Sequence, residues 1–194
     1  ALAEAEVEYE EKTSQSIDVG FRVVDNRELE RRVGLAAGKF GDAPIDVVIW
    51  TTTPWSLPGN QAVALREEFR YVLVETEVGS RLVLAADLWE GSFQRYGLAA
   101  RATLVEFAGK ALEGLKLHHP FEQREVPVIL GEHVTLDAGT GAVHTAPAHG
   151  HEDFIVAQRY KLPVVNPVGN DGRFLPETPL VGGLKLEEGS AAII

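Results

Sequence analysis

Short apolar runs rich in β-branched residues, most of them ended by glycine or proline, are the feature that most limits how this sequence can fold. A run of about four to eight such residues suits a core strand and is too short for a buried helix. Many short strands with few helices predict the α+β class, with a mixed, strongly curved, barrel-like sheet and a few peripheral helices. The strand candidates are SIDVGFRVV (16–24), IDVVIW (45–50), YVLVETEV (71–78), RLVLAA (81–86), ATLVEFAG (102–109), REVPVIL (124–130) and GAVHTAP (141–147).

Turn and cap residues refine this prediction. Gly79 and Ser80 join two strand candidates and predict a hairpin. Pro127 cannot donate a backbone hydrogen bond, so its strand is expected at a sheet edge. Asp87 is a candidate N-cap for a helix that Gly97 would end.

Three further segments complete the prediction. Residues 148–163 predict a helix of about three turns with acidic residues near its start. Residues 30–44 predict a glycine-rich loop, and GNDGRF (169–174) predicts a tight turn. We expect residues 1–194 to form one domain taken from a longer chain, with residues 1–15 and 187–194 as linker ends.

Composition excludes several kinds of function. The formal net charge of the 194 residues is -11, which disfavours autonomous binding of nucleic acid. The chain contains no cysteine, so it has neither a disulfide framework nor a thiolate nucleophile. No apolar run approaches the roughly 20 residues that span a bilayer, and no phosphate-binding glycine loop or G-x-S-x-G elbow occurs.

The first polar strand end is VIWTTTPWSLPGN, residues 48–60. Pro54 cannot join a hydrogen-bonded ladder and favours an extended Thr53, so the strand should fray at Thr51, Thr52 and Thr53. Their hydroxyls and amides could hold a small polar or carboxylate-bearing ligand. Threonine is also simply common in strands, so the pattern alone leaves a structural role open.

The second polar strand end is GTGAVHTAPAHGHEDF, residues 139–154. Here His144, His149 and Asp153 gather around a broken strand end and the first turn of a helix. A carboxylate in this place could bind an ammonium group, although it could also serve only to balance the helix dipole. A metal site built from His144, His149, His151 and Asp153 is the rival interpretation, although the spacings match no known metal motif.

Together, WTTTPWSLPGN (50–60) and GTGAVHTAPAHGHEDF (139–154) resemble the two signature regions of the editing domain inserted in isoleucyl-tRNA synthetases. The likeness continues in SIDVGFRV near the start and PVVNPVGNDGRF near the end, so it covers nearly the whole chain. Thr53 and Gly150 stand where valyl and leucyl enzymes usually have arginine and aspartate. The mild departures from the isoleucyl pattern are Ser56, Gly59 and Ala148.

This resemblance implies a cytoplasmic, metal-free hydrolase that removes valine from the 3' end of isoleucine tRNA and that also acts on valyl-adenylate. Its other partner would be the parent catalytic domain, which would hold ATP and magnesium, and no membrane is involved. Asp153, Thr52 and Thr53 would be catalytic, with Asp153 also binding the substrate ammonium. The substrate-binding residues implied are Trp50, Thr51, Asn60, His144 and His149, with His144 as the wall that excludes isoleucine. A noncatalytic tRNA-binding insertion is the remaining alternative.

Overall fold

A computed structural model describes residues 15–194, so the predicted N-terminal linker lies outside the described residues except at its last position. These residues form strands β1 (Ile17–Arg22), β2 (Ile45–Thr51), β3 (Ala62–Leu65), β4 (Arg70–Thr76), β5 (Arg81–Ala85), β6 (Ala100–Ala108), β7 (Lys116–His118), β8 (Glu125–Leu130) and β9 (Val143–Thr145). The α-helices are α1 (Asn26–Arg32), α2 (Trp89–Tyr96), α3 (His151–Tyr160) and α4 (Leu186–Ile193).

The strands form two mixed sheets, which confirms the α+β class. One sheet has the order β1-β2-β5-β4-β6 and the other has the order β7-β8-β3-β9. An antiparallel bridge between Val23 and Leu117 links the end of β1 to β7. The sheets therefore meet along one side, and the described strands do not close into a single barrel.

The main core lies between the two sheets, because both contribute fully buried side chains to one cluster. Phe21, Ile49 and Tyr71 come from the larger sheet, and Val63 and Val128 come from the smaller one. The alternation of apolar residues along short strands explains this arrangement, since one face of each strand points to the shared interior. Helices α2 and α3 pack on the outer faces through Phe93 and Val156.

Most of the predicted local elements are present. The hairpin is confirmed by β4 and β5, which pair antiparallel, and α3 occupies the predicted segment. The tight turn at 169–174 is also confirmed, because Gly169 N–H donates to the carbonyl of Arg173 at 2.8 Å. Gly97 ends α2 in the left-handed conformation as predicted.

Two cap assignments need correction. Asp87 does not cap α2, because the N-cap is Leu88 and the Asp87 carboxylate instead lies 3.6 Å from Arg70. The segment predicted as a loop begins inside α1, which Asp25 caps by accepting from Arg27 N–H at 2.8 Å. The acidic first turn and basic last turn of α1 stabilise it although it buries few apolar side chains.

The prediction of an edge strand at Pro127 is wrong, since β8 lies between β7 and β3. On the β7 side, the N–H of Val128 donates to the carbonyl of Leu115 at 2.8 Å. Adjacent residues of a strand direct their backbone groups to opposite neighbours, so the backbone nitrogen of Pro127 is directed towards β3. The pairing with β3 starts only at Val128, opposite Val63. The missing N–H of Pro127 therefore falls just before the ladder begins and leaves no backbone hydrogen bond broken.

The pairing of β3 with β9 brings the two polar strand ends together. Val63 lies opposite His144, and Ala62 lies opposite Thr145. The chain leaves β2 at Thr51 and reaches β3 through a short 3-10 helix at Pro54–Gly59, while a turn at 146–150 connects β9 to α3. Two segments about 90 positions apart therefore share one end of the fold.

Candidate active site

A cavity of about 350 Å³ lies between the end of β2 and the start of α3. Both polar motifs line it, so the structure brings together the residues that the sequence analysis singled out. Its lining is Trp50, Thr51, Thr52, Thr53, Trp55, Ser56, Val143, His144, Ala146, His149, Gly150 and Asp153. This volume lies within the range that small-molecule sites usually occupy, about 300 to 1,000 Å³.

The three threonines differ in what they can offer to a ligand. Thr51 is buried and accepts from Thr53 N–H at 3.0 Å through its hydroxyl oxygen. Thr52 and Thr53 are exposed, because the strand has ended there as predicted, whereas Thr51 still pairs with Ile17 as the last residue of β2. Thr53 Oγ1 also lies 3.3 Å from Thr51 Oγ1 and 3.2 Å from Ser56 Oγ, so the motif forms a chain of hydroxyl groups along one wall.

His144 lies at the inner end of this chain with only 6% of its surface exposed. Burial lowers the pKa of its imidazole to about 4, with the neighbouring His119 and His149 acting in the same direction. His144 is therefore neutral near pH 7. A neutral, buried ring is suited to form a wall of the cavity and is a poor general base.

The hydrogen bonds around His144 define one tautomer. Ser56 donates its hydroxyl hydrogen to the carbonyl of Thr53 at 2.7 Å, so its oxygen is left to accept. The Nε2–H group of His144 donates to that oxygen at 3.0 Å. Nδ1 then accepts from the side-chain amide of Asn60 at 3.4 Å, and both ring nitrogens are engaged.

The resemblance implies that Asn60 contacts the substrate, whereas in the structure Asn60 does not line the cavity. It is fully buried and donates to the carbonyl of Ala62 at 2.9 Å. Its side chain lies behind His144. Any contribution that it makes to the cavity passes through the orientation of the His144 ring.

Asp153 also lines the cavity. Its Oδ2 atom accepts from Ala146 N–H at 3.0 Å, which holds the carboxylate back over the start of α3. Gly150 provides the space, since a Cβ atom there would lie 2.7 Å from Oδ2. Burial raises the pKa of Asp153, while the hydrogen bond from Ala146 opposes that shift. A desolvated carboxylate in this place would attract a cationic ligand group.

Aromatic rings complete the cavity. The Trp55 ring meets His149 edge to face with centroids 5.0 Å apart, and partial burial lowers the pKa of His149. Trp50 packs against Gly139, whose φ is +81° and where a Cβ atom would come within 3.0 Å of Trp50 Cβ. The backbone at Gly139 therefore closely approaches an aromatic side chain of the cavity.

The histidines do not gather as metal ligands in the described part of the chain. His151 begins α3, is exposed and does not line the cavity. Across residues 15–194, no group of three or more histidine, aspartate or glutamate side chains has the geometry of a metal site. The geometry thus gives no support to the metal cluster considered above, and the metal-free site stays a prediction.

Five residues that line the cavity were not predicted as site residues from the sequence: Trp55, Ser56, Val143, Ala146 and Gly150. Each lies inside or beside a quoted motif, but its role depends on a contact that only the folded chain makes. Ser56 contacts a residue 88 positions away, and Ala146 contributes its backbone N–H. Their signals in the sequence are their places in or beside the motifs and, for Ser56 and Gly150, the comparison with the family patterns.

Comparison with protein families identifies what this chain resembles. Residues 42–182 match the family model described as the editing domain of leucyl-tRNA synthetase. The chain is 58% identical over its whole length to an isoleucine–tRNA ligase of Thiobacillus denitrificans, of which it covers 21%. It is 59% identical over 94% of its length to the corresponding ligase of Methylococcus capsulatus, of which it covers 20%. The chain thus spans about one fifth of the length of these relatives.

Solved structures share the same fold at low sequence identity. A crystal structure described as GlLeuRS-CP1 has a TM-score of 0.69 at 12% identity and covers 92% of this chain and 94% of its own. The editing domain of the P. knowlesi cytosolic leucyl-tRNA synthetase has a TM-score of 0.60 at 11% identity, covering 76% and 65% of the two chains. None of the helices within residues 15–194 has the length and apolar character needed to cross a bilayer.

Proposed function

The chain belongs to the editing-domain family of the tRNA synthetases and groups there with the isoleucyl enzymes, and from this premise we propose that it hydrolyses valine from mischarged isoleucine tRNA. The observation that carries the proposal is one cavity that is lined by the Asp153 carboxylate, the threonine motif and a neutral His144. The same site would act on valyl-adenylate, because both substrates present an activated valyl carbonyl.

The need for a second site follows from the limited energy of one methylene group. A missing methylene changes binding by only about 1 to 3 kcal/mol, a limit for which the discrimination of isoleucine from valine is the usual illustration. A hydrolytic site that admits valine and excludes isoleucine removes the errors that remain. His144 is suited to set this size limit as a wall of the cavity, since Ser56 and Asn60 hydrogen-bond its ring from both sides.

Asp153 would bind the α-ammonium group of the valyl ester. Its Oδ2 atom is already oriented by Ala146 N–H, so the carboxylate is held before substrate arrives. A charge-assisted hydrogen bond from the ammonium group would fix the ester carbonyl relative to the threonine motif. Preorganised contacts of this kind raise reaction rates because little motion is required in the transition state.

The threonine wall would act on the ester carbonyl and on the attacking water. An aminoacyl ester is already activated, so hydrolysis needs no covalent enzyme intermediate. Water adds to the carbonyl, the C–O bond to the terminal ribose breaks, and the ribose oxygen takes a proton as valine is released. The exposed Thr52 and Thr53 would orient water and donate to the developing oxyanion, where one donor contributes about 2.7 to 4 kcal/mol.

The remaining partners follow from this function. A domain with a net charge of -11 would bind tRNA weakly by itself, so the parent synthetase would deliver the 3' end of isoleucine tRNA. ATP and magnesium would serve the parent catalytic domain, with no cofactor in the editing cavity. Because tRNA charging supplies the substrate, we expect the protein to work in the cytoplasm.

The experiment measures deacylation of valyl and isoleucyl esters of isoleucine tRNA by the purified chain and by the full-length synthetase that contains it, each with and without excess chelator. Selective loss of valine that survives chelation is expected. If chelator abolishes hydrolysis of the valyl ester, a metal-dependent hydrolase would be favoured instead. Failure of both proteins to cleave either ester would overturn the proposal and leave a noncatalytic tRNA-binding insertion.

A further inference from the structure

His133 is a nearly buried side chain that neither motif contains. It precedes β9 and lies beside the start of α3, with 10% of its side chain exposed. Its Nε2 atom is buried and has no hydrogen-bond partner among the described residues. A buried polar atom without a partner costs free energy, so its presence calls for an explanation.

The Nε2 atom of His133 lies close to Asp153, although His133 itself does not line the candidate active-site cavity. It lies 3.9 Å from Oδ1 of Asp153, the carboxylate oxygen that Ala146 does not engage. At this distance the two atoms are too far apart for a hydrogen bond, but a shift of about 1 Å would form one. Hydrogen bonds in enzyme sites are often long without substrate and shorten in the reacting complex.

Gly131 leaves the space that the His133 ring occupies. A Cβ atom at Gly131 would lie 2.4 Å from Cε1 and 2.7 Å from Nδ1 of His133, so the ring sits directly over a glycine. Any larger residue at 131 would push the ring away. The ring therefore depends on the glycine at 131 for its place beside Asp153.

We propose that His133 is a positioning residue that donates its Nε2–H to Asp153 Oδ1 when substrate binds and so fixes the plane of the carboxylate. A carboxylate accepts at about four lone-pair sites, so donors from Ala146 and His133 leave two for the substrate ammonium. With both oxygens held, the remaining lone pairs point in one direction. This inference rests on the proposed function, because Asp153 is taken to bind the ammonium.

The test compares two esters of isoleucine tRNA, one carrying valine and one carrying 2-hydroxyisovalerate, which has the same shape but no ammonium group. Deacylation is measured for the unsubstituted full-length synthetase and for His133→Leu, His133→Gln and Gly131→Ala. His118→Leu is the matched control, since His118 is exposed on β7 and lies outside the cavity. Near-ultraviolet circular dichroism checks that each variant keeps its tertiary packing.

If His133 acts through Asp153, His133→Leu and Gly131→Ala lower kcat/KM for the valyl ester by roughly 10- to 100-fold, the size expected when a reacting group is misplaced by about 1 Å. They leave the hydroxy ester unaffected. His133→Gln retains most of the activity because its side-chain amide can also donate, and His118→Leu changes nothing.

Two results would overturn this inference. One is an equal loss on both esters, which would indicate a general structural role, and the other is an unchanged rate on the valyl ester. If the unsubstituted enzyme itself leaves the valyl ester intact, the proposed function fails and this inference fails with it. If the unsubstituted enzyme is active and His133→Leu hydrolyses the valyl ester at the same rate, only this inference is rejected.

Discussion

The hydroxyl oxygen of Ser56 lies 3.0 Å from Nε2 of His144, and both side chains are buried. This contact joins the threonine motif to the histidine on β9 through a continuous chain of polar groups. Because Ser56 donates its own hydrogen to Thr53, the ring of His144 can hold only one tautomer with both nitrogens satisfied. The position of the ring is thus determined by a residue in the first motif.

Ser56→Ala should weaken the discrimination against isoleucine. Removing the hydroxyl leaves Nε2–H of a buried ring without its acceptor, at a cost of about 1 to 3 kcal/mol, and the ring gains freedom to move. We expect the ratio of kcat/KM for valyl and isoleucyl esters to fall by about 10-fold. Ser56→Thr, which keeps the hydroxyl, is the control. An unchanged ratio in Ser56→Ala would mean that the ring is fixed by Asn60 and packing alone.

Shortening His144 itself should have a larger effect. His144→Ala removes a wall of the cavity, and the room released can accept the additional methylene of isoleucine. Isoleucyl-tRNA, which the unsubstituted domain should spare, is then expected to be hydrolysed at a rate comparable with valyl-tRNA. His118→Ala controls for the loss of a histidine. Continued rejection of isoleucine would assign the size limit to another wall residue.

Asp153→Asn should abolish the ammonium contact while preserving the local fold. The amide oxygen can still accept from Ala146 N–H, so the start of α3 keeps its hydrogen bond. Loss of the charge removes a charge-assisted hydrogen bond, and we expect kcat/KM for the valyl ester to fall about 100-fold. An ester without the ammonium group should react equally well with both proteins. Normal rates on the valyl ester would remove Asp153 from the site.

The sequence alone supports most of the strands and the two polar motifs, because both depend on local chemistry. β-Branched runs predict strands wherever one face is buried, and a proline after Thr53 predicts a frayed end. Helix α1 has no apolar periodicity, with only Leu29 and Glu30 buried, so the pattern for a helix is weak. Its signal is the Asp25 cap with Glu28 near the start and arginines at the end.

The contacts within the cavity follow from tertiary pairing and could not be derived from sequence patterns. The pairing of β3 with β9 determines that His144 faces Ser56 and leaves Asn60 behind the ring. A backbone group such as Ala146 N–H carries no signal in its residue type. The position of Pro127 shows the same limit, because its tolerance within a sheet depends on where the neighbouring ladder begins.

The raised pKa of Asp153 predicts the pH dependence of the reaction. The ammonium contact requires the carboxylate form, and burial shifts its protonation above the ordinary value of 3.8. The kcat/KM for the valyl ester should therefore fall as the pH decreases through an apparent pKa higher than 3.8. Spontaneous ester hydrolysis is subtracted at each pH, and the ester without an ammonium group serves as the control. An apparent pKa at or below 3.8 would contradict the buried carboxylate.

The lowered pKa of His144 predicts a loss of stability in mild acid. In the unfolded chain this histidine binds a proton near its ordinary pKa of 6.5, whereas in the folded chain it stays neutral down to about 4. Between these values the unfolded state binds more protons, so the free energy of unfolding falls as the pH decreases. Above pH 6.5 the titration of His144 does not lower the free energy of unfolding. As the pH approaches 4, it lowers this free energy by up to about 3 kcal/mol. Urea unfolding from pH 4 to 7.5, compared between the chain and His144→Gln, isolates this term from those of His119 and the carboxylates. Equal slopes in the two proteins would show that folding does not change the pKa of His144 and would contradict its lowered value.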